Sequence, residues 1–171
     1  SNLGGLGPDL NVPKTIRLAS VAKMGDVTLD LEVSNQSVYV PTTTRWNRVS
    51  KGFGNVNLGG VQSDVENMMR LKLAFINQAT GTPVVLPRFR LSYFDFDMQN
   101  EPGSGKECLT LSSTHIEEYM LSQPTELVKT SPEGADPRFC ATRKGIGSDN
   151  PSDPLDLTDL QRQRTIEVTY V

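Results

Sequence analysis

Apolar and polar residues alternate with a period of two along most of this chain, and that period predicts strands. Val27, Leu29, Leu31 and Val33 fall on one face, with Thr28, Asp30 and Glu32 on the other, as in a half-buried antiparallel strand. Ile16 and Leu18 alternate with polar neighbours just upstream, and Met24-Gly25-Asp26 is a turn signal, so the two runs read as a hairpin. A short strand is expected from Val38 to Val40. From Met69 the run Met69, Leu71, Leu73 and Phe75 points inward against Arg70 and Lys72. A turn over Gln78 to Pro83 then leads into Val84 to Asp97, which predicts a second hairpin.

Shorter strand-like runs follow at 108–111, 118–121, 126–129 and 138–142, and Ile166, Val168 and Tyr170 close the chain with one more. Two capping-box matches, Ser63 to Glu66 and Thr158 to Gln161, predict a single helical turn and a short helix reaching Arg164. Many short strands with little helix predict an all-β chain, a two-sheet antiparallel β-sandwich of jelly-roll type with one or two helical turns. Residues 1–13, rich in Gly, Pro and Asn, read as a flexible arm or linker, and 14–171 as one sandwich domain.

The sharpest break in the alternation lies in LPRFRLSYFDFDMQNEPGSGKE, residues 86–107. Phe89, Leu91 and Tyr93 share a face, but Tyr93 and Phe94 are both apolar. A strand that stayed regular would drive Asp95 and Asp97 into the core, where unpaired carboxylates are very costly. Either a bulge at Tyr93-Phe94 keeps Phe96 inside and turns both aspartates outward together, or the strand end is covered on both faces and the aspartates lie beyond the core. Two like charges on one face call for a neutralising group. Calcium suits them, because it accepts six to eight oxygens in irregular geometry. Glu107 is placed to add a carboxylate, and Gln99 and Asn100 neutral oxygens. The spacing is not that of an EF-hand, since Asn100 stands where glycine is needed and Lys106 where the bidentate glutamate belongs. The bland alternative is a solvated acidic turn, with Lys106 or Arg88 as counter-charge. Downstream, SDNPSDPLDLTD carries Asp149 and Asn150, which extend the ligand set or build another site, whereas Asp156 and Thr158 suit a helix cap.

Composition narrows the function. With 171 residues, a net charge of −3 and no basic run, nucleic acid is a poor partner. No apolar run is long enough to span a membrane. The chain starts at Ser1 without Met and ends in a strand-like run, which reads as a piece of a longer protein. Cys108 and Cys140 read as an extracellular disulfide, or else as two buried thiols. The single tryptophan, Trp46, sits among Arg45, Asn47 and Arg48 in a polar segment. Those residues either stack on a sugar or other ligand, or the indole plugs the end of the sandwich.

Catalytic signals are weak. The one histidine, His115, has no nucleophile elbow nearby. Gly145-Ile146-Gly147 lacks the rest of a dinucleotide loop. Asp95 and Asp97 on one strand are wrongly placed to flank a glycosidic bond. A non-enzymatic role is expected.

The segments YFDFD…GKE and GSDNPSDPLDLTDLQRQR, after an early DVTLDLEVSNQSVYVP, resemble an uncharacterised β-sandwich domain of secreted or surface proteins of unicellular algae and other microbes. They are similar, more loosely, to calcium-dependent jelly-roll and lectin-like modules of adhesins. The resemblance implies an extracellular sandwich with a structural ion at Asp95, Asp97 and Glu107. The expected function is a calcium-binding module for carbohydrate or surface recognition, at the cell surface or outside the cell. The alternative is a self-assembling subunit of an extracellular filament, matrix or flagellar hair.

Overall fold

The computed structural model describes residues 1–59, 66–98 and 105–171. Strand occupies 38% of the described residues and helix 7%, in antiparallel sheets, so the fold is all-β. The chain gathers into two compact units, Ser1–Val85 and Leu86–Val171, where the sequence reading has one sandwich over 14–171.

The first unit is a four-stranded sheet. Strands β1 (Thr15–Met24) and β2 (Val27–Asn35) form the expected hairpin, with Gly25 at φ +59 making its turn. Next to β2 comes β5 (Leu71–Asn77), and beyond it the two-residue β6 (Pro83–Val84). A small ribbon of β3 (Val49–Ser50) and β4 (Phe53–Gly54) completes the unit. Gly54 lies close over Ile16 and Leu18 of β1, so the ribbon covers the apolar face that the alternation predicts. Leu29, Leu31 and Val33 are buried as expected, but so is Asp30, at a register shift in β1 between Leu18 and Ala22.

Three expectations for this unit change. Residues 1–7 are not loose. Leu3 is fully buried, Asn2 and Gly4 donate backbone hydrogen bonds to Thr15 and Lys14, and the Tyr39 hydroxyl donates to the Leu3 carbonyl at 3.1 Å. Val38 to Val40 is not a strand. Val38 and Val40 are exposed while Tyr39 is anchored inside. On β5 the most buried side chain is Ile76, which pairs with the buried Asp30, rather than Phe75. The capping-box match at Ser63 lies outside the described residues.

The second unit is a small sandwich of two three-stranded sheets. One has the order β7 (Phe89–Tyr93), β12 (Ile166–Tyr170), β9 (Ile116–Leu121). The other has β10 (Leu127–Lys129), β11 (Arg138–Ala141), β8 (Cys108–Thr110). Between them Phe96, Leu111, Leu127, Phe139, Ala141, Ile166 and Val168 form the core. The strand β7 therefore pairs with β12, not with the Met69–Phe75 run, and only β6 completes the second hairpin. The C-terminal strand β12 is central, hydrogen-bonded on both sides. Cys108 and Cys140 face each other directly across β8 and β11 and form the disulfide. The helix α1 (Asp159–Gln163) begins with the predicted capping box, Thr158 and Gln161 each bonding the other's backbone N–H.

Candidate metal centre

In the second unit β7 stops at Tyr93, and Asp95 takes a left-handed backbone at φ +67, which aspartate tolerates better than most L residues. This reversal does what a bulge was expected to do. Phe96 enters the core, and Asp95 and Asp97 on either side of it stay partly exposed. Two further segments then close on this corner. Met98 bridges both Lys106 and Lys144, and its N–H donates to the Arg143 carbonyl at 2.9 Å. The Glu107 N–H donates to the Asp97 carbonyl at 3.0 Å, and the Ala141 N–H to the Glu107 carbonyl at 2.9 Å. The disulfide, one residue beyond Glu107, staples the same two segments together.

Gly145 lies flat against Asp97. A Cβ there would come within 1.8 Å of Asp97 Oδ2 and 2.4 Å of Asp97 Cβ, so only glycine leaves room for this carboxylate. Further along, the Ile146 N–H donates to both oxygens of Asp149, at 3.1 and 3.2 Å, and folds that side chain back toward the corner.

Carboxylate oxygens of Asp95, Asp97 and Asp149 thereby lie within 4.8 Å of one another, and the cluster could hold a metal ion. Glu107 flanks them, its Oε2 accepting from the Asp97 N–H at 3.3 Å. Two full charges at that spacing repel by about 3 kcal/mol at an effective dielectric near 20. Burial, then Asp97 and Asp149, push the Asp95 carboxyl up to about 7, against a smaller pull from Arg164. Burial, then Asp97, push Glu107 up to about 7. Burial also raises Asp97, with Arg164 opposing.

The counter-charge inside the fold is Arg164, at the C-terminal end of α1 and only 5% exposed. Its Nε donates to Glu126 at 2.8 Å, one terminal nitrogen to Asp149 Oδ2 at 2.7 Å, and the other to the Lys144 carbonyl at 2.7 Å. That guanidinium is committed to Glu126 and Asp149. Among the described residues, no hydrogen bond reaches the side-chain oxygens of Asp95 or Asp97. Arg88, one expected counter-charge, is instead paired with Glu117 and Glu118. The donor set is all carboxylate oxygen, without His or Cys, which selects a hard cation.

Asn150 is exposed, and no hydrogen bond fixes its side chain among the described residues. Gln99 and Asn100 lie outside the described residues. Sequence reasoning missed Arg164, whose role needs three partners from distant segments. It also considered Gly145 only in setting aside a dinucleotide loop.

The ligand-binding trio Arg45, Trp46 and Asn47 belongs to the first unit, on the 3₁₀ turn Thr44–Trp46 and the residue after it. Asn47, expected to face a ligand, is turned inward. It is fully buried and latches the Leu6 carbonyl, the Tyr39 hydroxyl and the Asn57 N–H. Trp46 is 41% exposed, so it plugs no core.

No protein-family model matches the chain, and neither any curated protein nor any solved structure matches it. Among the described residues no helix is long and apolar enough to cross a membrane.

Proposed function

We propose that this protein is a non-enzymatic, calcium-binding recognition module that works outside the cell. The convergence of Asp95, Asp97 and Asp149 carries the reading. Three carboxylates held together by backbone from three segments, with one internal cation already shared with Glu126, leave an excess of negative charge. A divalent ion removes it. Calcium is favoured over magnesium because the cluster is irregular and partly open, whereas magnesium demands near-octahedral order. Glu107 is the fourth carboxylate within reach of the same ion. Such an ion would tie the end of β7, the start of β8 and the 144–149 loop into one rigid corner for contact with a surface or carbohydrate partner. The disulfide suits an oxidising compartment.

Titrating calcium into chelator-treated protein by calorimetry tests this. A single saturable heat is expected, with a thermal midpoint that climbs as calcium rises. At 100 times the dissociation constant the ion contributes about 2.7 kcal/mol. The Asp97→Asn variant should lose most of both effects. Equal midpoints in calcium and in chelator would sink the reading.

The assembly alternative draws less support. Residues 1–7 are packed, although 8–13 are exposed, and β12 offers no free edge because it is paired on both sides.

A further inference from the structure

We propose that Arg45, Trp46 and Arg48 form a second, cation-independent site that takes the sulfate or carboxylate groups of an acidic polysaccharide. The platform is rigid. Asn47 and Asn57 lock this turn, the Asn57 N–H donating to Asn47 Oδ1 at 2.7 Å and the Thr43 N–H to Asn57 Oδ1 at 2.8 Å. Between two such anchors Trp46 stands 41% exposed, and the guanidinium carbons of Arg45 and Arg48 each lie 5.0 Å from its ring centroid.

What these arginines lack is informative. Arg17, Arg88, Arg90, Arg162 and Arg164 all pair with carboxylates. Among the described residues Arg45, Arg48, Arg70 and Arg143 do not, in a chain of net charge −3, and of these four Arg45 and Arg48 lie over an aromatic ring. Arg48 Nε is shut off from solvent with no hydrogen-bond partner. A buried unpaired donor is costly. The indole, not a polar partner, holds that guanidinium in place.

A guanidinium stacked on an aromatic ring keeps its plane fixed and its outer N–H edge free. That fork matches the two oxygens of a carboxylate or sulfate. Two of them on one indole present a preorganised pair of forks. Nucleic acid fits less well, because it needs a longer run of cations than two arginines on an acidic protein.

Trp46 is the only tryptophan, so tryptophan emission, excited at the red edge where tyrosine does not absorb, reads this site alone. The probes are dextran sulfate, carboxymethyl-dextran and uncharged dextran, titrated in chelator so that the acidic cluster plays no part. A saturable change in emission is expected with one or both charged polymers and none with uncharged dextran. Which charged polymer binds tighter tells sulfate from carboxylate. Arg45→Gln with Arg48→Gln should weaken binding by about tenfold or more. The paired lysine substitutions, which keep charge but lose the fork, should weaken it by a smaller factor and carry the test if the glutamine pair fails to fold. Silence with both charged polymers, or unchanged affinity in the folded double variants, overturns the proposal. An equal response to single-stranded DNA of matched charge overturns its assignment to polysaccharide.

Discussion

Asp30 in the first unit and Asp95 in the second both sit where a strand becomes irregular, the one buried and the other half-buried, yet their surroundings are opposite. Asp30 is only 3% exposed and fully served. Its oxygens accept from the Ser20 N–H at 2.8 Å, Arg17 Nε at 2.7 Å and Gln78 Nε2 at 3.0 Å. The Ser20 N–H foremost, with Arg17, holds its carboxyl below the usual range. Ser20 reaches it by adopting φ +56 in the irregular stretch of β1. Asp95 uses a similar left-handed turn for another end. No donor reaches it among the described residues, two carboxylates face it, and its carboxyl rises to about 7. The fold itself balances the charge of Asp30. It concentrates the charge at Asp95, and that difference separates a structural carboxylate from a candidate ligand.

The largest test of this contrast is Arg164→Met. Removing one partner of a buried ion pair costs about 3–5 kcal/mol, because the carboxylates stay behind unpaired. Glu126 and Asp149, with side chains 19% and 15% exposed, are such partners. Thermal unfolding should show a fall of that size in chelator. Calcium should recover more of the loss in this variant than it adds to wild type, since the ion would then replace the missing guanidinium. A variant as stable as wild type in chelator would mean that Arg164 is not the internal counter-charge. Next comes Asp30→Asn. It keeps the shape but gives up charge-assisted hydrogen bonds, worth about 2 kcal/mol in all. Calcium should not touch that loss. Recovery with calcium would erase the distinction between the two aspartates.

These two aspartates also show what a sequence discloses. The β1–β2 hairpin, the burial of Leu29, Leu31 and Val33, and the Thr158–Gln161 capping box were legible, because each is set by spacing within a few residues. The break after Tyr93 was legible too, since two adjacent apolar residues followed by alternating acids cannot continue a strand. The partners of those segments were not. β7 pairs with β12, more than 70 positions on, and nothing in its own pattern says so. Asp30 looked like a solvent-facing residue, because alternation ignores the register shift that wraps donors around it. Arg164 looked like the end of a helix, and Gly145 like a loop residue. Both owe their roles to side chains brought from elsewhere. Asn47 was read as a ligand residue from its neighbours, although its hydrogen bonds face inward.

The smallest effect discriminates best, because its sign changes. Asp95 and Glu107 have folded-state values raised to about 7, above the ordinary carboxylate value near 4. The folded state therefore binds their protons more tightly than the unfolded chain does. The stability tied to those protons is fully present below about pH 4 and is lost as pH rises through about 7. Asp30, lowered, does the reverse. Its contribution is present above about pH 4 and disappears only as pH falls further, through its folded-state value. In chelator, wild type should therefore become less stable between about pH 5 and pH 8, while Asp30 has no influence on that slope. Asp95→Asn removes one of the two offending charges, so its slope should be shallower. By about pH 8 it should exceed wild type by on the order of 1 kcal/mol, after allowance for solvent screening. On the proposed reading calcium should invert that order, since the carboxylate that harms the metal-free fold would be one of those that bind the ion. Parallel melting curves for the two proteins in chelator from pH 5 to 8 would show that the acidic corner is already balanced, as Asp30 is.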